Sequence, residues 1–166
     1  MNTLLLGNSI ALLGCLIMVA VGFLQKKTHI LLVQCVQCGL MGLSNLILGG
    51  ISGFICNYIS IVRNLVFVKY PITKTLKLTF ISLQVLLNLS AILSGFINCL
   101  PTIAASLFTW NLDTKSEVRL KCVILITMIL WLIYDFTHRN YVASAFDIMT
   151  MISNCIGLYM IYKKKQ

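Results

Sequence analysis

The sequence predicts an all-α polytopic membrane protein, with seven transmembrane helices in a 3+1+3 arrangement of two parallel three-helix repeats. Three observations lead to this fold class: the composition, the succession of apolar runs and the spacing of polar residues. The chain has 166 residues, of which 59% are hydrophobic and 10% are charged. Soluble globular domains carry about 25% charged residues. Apolar runs take up most of the length, so the sequence leaves no room for a soluble domain of useful size.

The apolar runs predict the helices in order, because a helix that crosses a bilayer needs about 20 apolar residues. The first run has no basic region before it and no small-residue cleavage site, so we expect a retained helix and not a signal peptide. The run 78–112 is too long for one span, and Gly95, Asn98 and Pro101 favour a turn within it. The predicted helices are roughly 3–24, 30–48, 51–68, 78–95, 98–112, 120–136 and 141–162.

The basic residues test this division. With the N-terminus outside, the segments assigned to the cytoplasm hold 11 of the 13 Lys and Arg residues, while Arg139 falls outside and Arg63 within a span. This distribution agrees with the positive-inside rule, and six helices would put two basic clusters on the wrong side. The net charge of +9 therefore indicates contact with anionic lipid headgroups and not with nucleic acid.

Polar residues recur at an offset of 90 residues. Asn57, Ser60 and Asn64 share one face of the third helix, and the offset carries them onto Asp147, Thr150 and Asn154. The offset also carries Asn8 onto Asn98 and Asn45 onto Asp135. These matches predict a first repeat in residues 1–70, a linker helix in 71–95 and a second repeat in 96–166. A polar stripe in lipid must face protein or water, so each stripe either lines a cavity or holds helices together.

Two stretches carry a family resemblance: GGISGFICNYISIVRNLVF in the first half and WLIYDFTHRNYVASAFDIMTMISNCIGLYMIYKKK in the second. They resemble the YgjV family of small bacterial inner-membrane proteins, which implies the plasma membrane as the location and implies no established substrate. More distantly, the 3+1+3 plan is similar to the SWEET, PQ-loop and PnuC group of transporters. That resemblance implies a solute contact at Asn57 and Asp147, or two turns further on at Asn64 and Asn154. Only Pro101 lies in a predicted helix, so the proline-hinged cycle of the SWEETs is not implied.

Asp147 is the acidic residue placed deepest in a predicted helix. It lies roughly 10 Å from the outer boundary at 1.5 Å per residue, so we expect it to face the interior of the bundle. It either contacts the solute or carries a proton, or it forms a structural ion pair with Arg63. Arg63 in turn either pairs with Asp147 or extends its guanidinium to the cytoplasmic headgroups.

Three further residues belong to the predicted site. Asp135 and Asn45 occupy equivalent positions near the outer ends of their helices, and we expect Asp135 at an entrance or interface and not deep in the cavity. Trp131 lies one turn inside Asp135, where its indole either stacks on a ring-shaped solute and forms a gate or belongs to an aromatic belt. The predicted solute-binding set is therefore Asn57, Ser60, Asn64, Trp131, Asp147, Thr150 and Asn154, with Arg63, Asp135 and Asn45 as gate or charge partners.

These patterns favour a small-solute transporter that works by alternating access between the two repeats. The alternative is a membrane receptor or assembly protein of the same fold that transports nothing. The sequence has no zinc-ligand, nucleophile or phosphate-loop pattern, so we expect no enzyme, no cofactor and no metal site. The expected partners are the lipid bilayer and an unidentified solute, and a homo-oligomer is left open.

The charge distribution makes a testable prediction about topology. A reporter that is active only in the cytoplasm, fused after Gln166, should be active, because the C-terminal lysines are expected inside. A reporter active only outside the cytoplasm serves as the matched control and should be silent at the same position. The reverse pattern would overturn the assignment.

Overall fold

A computed structural model describes residues 2–21 and 27–163, and all regular structure in these ranges is helical. The predicted end of the first helix at residues 22–24, Lys26 and the last three residues lie outside the described residues. A short 3-10 helix covers Phe96–Cys99. The α-helices are α1 (Thr3–Val21), α2 (Lys27–Ile47), α3 (Ile51–Lys69), α4 (Lys74–Leu87), α5 (Leu89–Ser94), α6 (Leu100–Asn111), α7 (Glu117–Thr137) and α8 (Tyr141–Lys163).

The predicted boundaries are within a few residues of those observed, except in the run 78–112. There the prediction of two helices, 78–95 and 98–112, was wrong in detail. Helix α4 begins earlier, at Lys74, because the side chain of Thr73 accepts a hydrogen bond from the Leu76 N–H (3.3 Å) and caps the helix. It ends before Asn88, whose buried amide donates to the Cys56 thiol (3.2 Å). The chain continues through α5 and the 3-10 helix, and Pro101 lies in the first turn of α6.

The surface of the bundle is apolar and its interior is rich in polar side chains. Leu93 and Phe96 are 78% and 75% exposed, whereas Asn45, Asn64, Gln84 and other amides are fully buried. This is the reverse of a protein dissolved in water, where amide and charged side chains lie mostly on the surface. Three helices in the described residues, namely Ile51–Lys69, Val118–Thr137 and Tyr141–Lys163, are long and apolar enough to cross a membrane by length and composition. The full set of seven spans stays a prediction.

Six helices form a closed ring. Within the described residues, α1 packs on α2, α2 on α3, α3 on α6, α6 on α7, α7 on α8, and α8 returns to α1. Helix α4 lies outside the ring against α3 and α6. A small apolar cluster of Leu31, Ile59, Phe67 and Phe80 joins α2, α3 and α4, with the two phenylalanine rings edge to face at 5.7 Å. The ring therefore encloses a central space, and α4 is excluded from its lining.

An ion pair fastens α4 to the turn between α6 and α7. The Lys77 ammonium donates to the carboxylate of Asp113 and to the backbone oxygen of Trp110 (3.0 Å). The hydrogen bond from Lys77 lowers the pKa of Asp113 below its ordinary value of 3.8. The Asp113 side chain is 47% exposed, so solvent screens much of the interaction.

Replacing Asp113 by Asn should lower the stability at neutral pH by about 0.2–1 kcal/mol, the range measured for exposed ion pairs. Because the pKa of Asp113 is lowered in the folded state, the stabilisation is present above the ordinary value of 3.8 and is lost as the pH falls through the lowered value. Thermal unfolding in detergent should therefore show a constant gap between wild type and Asp113→Asn from neutral pH to about 5, closing below about 4. A gap that persists in strong acid would contradict the assignment.

Candidate functional site

The ring of helices encloses a cavity of about 290 Å³, lined by side chains from α1, α2, α3, α6, α7 and α8. All the residues predicted from the sequence line this one cavity: Asn45, Asn57, Ser60, Arg63, Asn64, Trp131, Asp135, Asp147, Thr150 and Asn154. The structure thus brings the two polar stripes together around a common space. Their role in binding a solute stays a prediction.

The lining is arranged in layers, counted from the end of the bundle where α1 begins, here called the near end. With 1.5 Å of rise per residue, Asn45 and Asp135 lie about 3 Å from the near ends of α2 and α7. About 9 Å down are Met41, Asn57, Trp131 and Asp147, and about 13.5 Å down are Cys38, Ser60, Met128 and Thr150. The deepest layer, about 18–20 Å down, holds Gln34, Arg63, Asn64, Ile124 and Asn154.

A buried polar cluster closes the near end. The Asn140 amide donates to Asn45 Oδ1 (3.2 Å) and to Asp135 Oδ1 (3.3 Å), and all three side chains are at most 2% exposed. Asp135 was expected at an entrance or interface and not deep in the cavity, and it lies in the layer nearest the near end, buried in this cluster between the halves. The turn at Asn140 folds over the end of α7 and covers the Asp135 carboxyl, with the Asn140 N–H bonded to the Asp135 backbone oxygen (2.8 Å).

Each half of the chain also caps a helix of the other half at the near end. The first N–H groups of a helix have no partner within it. The hydroxyl of Tyr134 on α7 accepts a hydrogen bond from the Gly53 N–H in the first turn of α3 (2.8 Å). Asn8 on α1 accepts one from the Val142 N–H in the first turn of α8 (3.0 Å). Its amide also donates to the Arg139 backbone oxygen (3.0 Å), so the two halves are joined on both sides of the cavity.

Arg63 is buried in the deepest layer, where it bonds to neutral groups. Its guanidinium donates to Thr109 Oγ1 on α6 (2.9 Å) and twice to Asn64 Oδ1 (3.2 and 3.0 Å), and it lies 5.6 Å from the Phe108 ring centre. The predicted alternatives of an ion pair with Asp147 and of extension to the headgroups were both wrong. Lys77–Asp113 is the ion pair found among the described side chains, and Arg63 is only 4% exposed. Thr109 lies within reach on the adjacent helix α6, and the sequence does not indicate that α3 and α6 are neighbours.

Asp147 faces the cavity, as expected, and its Oδ2 atom is buried without a hydrogen-bond partner in the described part of the chain. The Asn57 amide in the same layer donates to the Gly53 backbone oxygen of its own helix (2.9 Å). Deeper in the cavity, the Asn154 amide donates to the Thr150 backbone oxygen (2.9 Å). Trp131 lines the same cavity and meets Tyr134 edge to face at 5.9 Å, so it is not confined to an aromatic belt.

Several lining residues were not predicted as site residues. Gln34, Gln37 and Met41 share a face of α2 with Asn45, and this periodicity is a signal that places them in the cavity. Ala104, Ala105 and Phe108 on α6 carry no such signal, because apolar residues in an apolar helix do not indicate which side faces inward. Tyr134 and Asn140, which close the near end, likewise have no periodic pattern that would have identified them.

The family comparison covers nearly the whole chain. A family model described as a bacterial inner membrane protein, YgjV, matches residues 5–165. The chain belongs to the YgjV family. The match includes every residue of the cavity lining and of the near-end cluster in this YgjV-family chain. No curated protein and no solved structure matches it.

The near-end closure of this YgjV-family protein can be tested at Gly53. A Cβ atom there would lie 2.6 Å from Asn45 Nδ2 and 2.7 Å from Tyr134 Cε1, and neither fully buried side chain has room to move. Gly53→Ala should therefore destabilise the protein by about 1–3 kcal/mol in thermal unfolding. The matched control is Gly39→Ala in α2, where the nearest atom is Ile61 Cδ1 at 3.9 Å, an ordinary contact.

Tyr134→Phe gives a second measurement of the same closure. It leaves the Gly53 N–H without its acceptor and should cost about 1–3 kcal/mol. Equal melting temperatures for Gly53→Ala and Gly39→Ala, together with an unchanged Tyr134→Phe, would contradict the tight packing at this end.

Proposed function

We propose that this inner-membrane protein is a multi-pass transporter of a small solute, which moves by alternating access between two three-helix units. The observation that carries the proposal is the cavity of about 290 Å³ in the middle of the ring, lined by polar side chains from both halves. Small-molecule sites are commonly concave pockets of about 300–1,000 Å³ with a few placed polar groups, and the volume of this cavity is just below that range. We propose transport and not catalysis.

The internal repeat belongs to the proposal, and the element boundaries support it. Helix α2 ends at Ile47 and α7 ends at Thr137, so these two boundaries differ by 90 residues. Helices α3 and α8 also begin 90 residues apart, at Ile51 and Tyr141. Helix ends depend on caps and turns and not on the spacing of polar residues along a helix. The offset of 90 residues in the helix ends is therefore a separate observation in support of the repeat.

The two turns at the near end provide further support. Gly49 and Arg139, 90 residues apart, both have positive φ angles, of 83° and 59°. The Gly50 N–H bonds to the Asn45 oxygen (2.7 Å), and the Asn140 N–H bonds to the Asp135 oxygen (2.8 Å). The same backbone turn therefore joins α2 to α3 and α7 to α8. Positive φ is unusual for a residue such as arginine, so the agreement is informative.

Contacts between the halves are also reciprocal. Asn8 in the first half bonds to the backbone of Val142 in the second. At the positions 90 residues away, Ser52 in the first half donates to the backbone oxygen of Asn98 in the second (2.6 Å). The ring contacts α3–α6 and α8–α1 exchange in the same way. Such reciprocity is expected of parallel repeats related by an axis along the membrane normal, an architecture of transporters with a central site.

The mechanism we propose is a rocking of the two units about the cavity. The near end is closed by hydrogen bonds between the halves, and each contributes about 0.5–1.5 kcal/mol net. Farther down, the Arg63–Thr109 bond joins the halves. We propose that the near end faces outward, as the basic residues predict, and that the cavity opens to the cytoplasm in this state. Breaking the near-end bonds would then open the cavity to the outside.

Sided thiol labelling tests this mechanism. In a variant with the seven native cysteines replaced, Thr150→Cys in the cavity should react with a membrane-impermeant thiol reagent from the cytoplasmic side of oriented vesicles. Adding Asn8→Ala and Tyr134→Phe should raise its labelling from the outer side, because these changes remove the cross-half caps. The matched control is Ile152→Cys on the exposed face of α8, which should stay unlabelled in lipid.

The other outcomes are equally informative. A Thr150→Cys thiol that reacts from neither side would indicate a dry interior and favour a receptor or assembly protein of the same fold. A thiol that reacts from one side only, whether or not the near-end caps are present, would contradict alternating access.

A further inference from the structure

The layer formed by Met41, Asn57, Trp131 and Asp147 offers hydrogen-bond acceptors and an aromatic ring. The Oδ2 atom of Asp147 is buried without a partner in the described residues. An ionised carboxylate has only acceptors, so no reorientation of the group supplies a partner. The Asn57 amide nitrogen donates one of its two hydrogens to Gly53 O, so Asn57 offers its carbonyl oxygen and its second N–H to a ligand. The group without a partner at this layer is therefore an acceptor, the Asp147 Oδ2 atom.

The other charged groups of the cavity already have partners. The Arg63 guanidinium donates three hydrogen bonds to the neutral side chains of Thr109 and Asn64 and lies against the Phe108 ring. The Asp135 carboxyl accepts from Asn140. An anionic solute would have to displace these contacts at Arg63 and would share the cavity with two carboxyl groups. A cationic solute finds an acceptor already in place at Asp147.

Trp131 adds to the same preference. It lies in the layer of Asp147, about 9 Å from the near end on its own helix. The indole face is the most favourable aromatic partner for a cation, and the interaction strengthens when water is excluded. Met41, in the same layer, contributes a thioether that accepts weakly and donates nothing. A carboxylate, an amide oxygen and an indole together suit an ammonium group.

We propose that this layer binds the ammonium group of a small organic cation, and that such a cation is the transported solute; the inference rests on the transport function proposed above. The cavity of about 290 Å³ holds on the order of ten water volumes at about 30 Å³ each, so the solute is small. An isolated charge inside a membrane is costly. When the ammonium group and the Asp147 carboxylate are paired, their charges cancel, and the cost of burying either charge falls.

The two tryptophans allow a direct measurement. The chain has two tryptophans, and only Trp131 lines the cavity. In the variant Trp110→Phe, all indole fluorescence therefore comes from Trp131. Ethylammonium should change the Trp131 fluorescence saturably and raise the melting temperature, at an ionic strength held constant with sodium chloride. Ethanol, the neutral molecule of nearly the same shape, and acetate, an anion of similar size, should do neither.

Two variants assign the effect to Asp147. Asp147→Asn should weaken ethylammonium binding by about thirtyfold or more, because one partner of a buried charge pair is removed. Asp147→Glu keeps the charge and should retain most of the binding, which separates the loss of charge from a failure to fold. The matched control is Asp113→Asn, which removes a carboxylate outside the cavity lining and should leave ethylammonium binding in place.

Acetate binding that disappears in Arg63→Gln would overturn the proposal in favour of an anionic solute. Absence of ethylammonium binding in a protein whose Thr150→Cys thiol still switches sides would overturn the proposal while leaving transport intact. Failure of that thiol to switch would instead count against transport itself, so the two failures are distinguishable.

Discussion

The structure depends on one constraint: polar groups that face away from water must find partners inside the protein. The bundle has an apolar surface, and its buried side chains include many amides and hydroxyls. Backbone groups at helix ends that are buried away from water must be satisfied by the protein. The near end meets this demand with side chains from the opposite half, as Tyr134 does for Gly53 and Asn8 does for Val142. Helix capping and the joining of the two halves are therefore the same set of bonds.

Because the same hydrogen bonds cap the helices and join the halves, any separation of the halves affects both. If the halves separate at the near end, the first turns of α3 and α8 lose their caps at the same moment. Water or a solute must then replace the lost partners, because a buried N–H without an acceptor costs about 1–3 kcal/mol. The small residue at Gly53 belongs to this arrangement, since a Cβ atom there would meet Asn45 and Tyr134. The two halves therefore pack closely at the near end. Deeper in the bundle, the hydrogen bond from Arg63 to Thr109 joins them.

The two halves of the chain line the cavity with different polar groups. Asn57 and Asp147 lie in one layer, and Asn45 and Asp135 lie in the layer nearer the near end. The first half supplies amides and the second half supplies carboxyl groups at the same depth. Of the two acids, Asp135 is covered by the turn at Asn140, while Asp147 keeps a buried oxygen without a partner. The proposed preference for a cation follows from this difference between two acids of the same cavity.

The sequence by itself determined the all-helical class, most helix boundaries and the inward face of each polar stripe. These follow from local rules: apolar length, turn residues and the 3.6-residue period, which reports the face of a helix. The interruption at Asn88 escaped those rules, because its amide bonds to Cys56 on another helix. Only the tertiary structure decided that Arg63 bonds to Thr109 and not to Asp147, and that Asp135 is covered. Periodicity identifies a face but not the helix opposite it, and that neighbour depends on how distant segments pack.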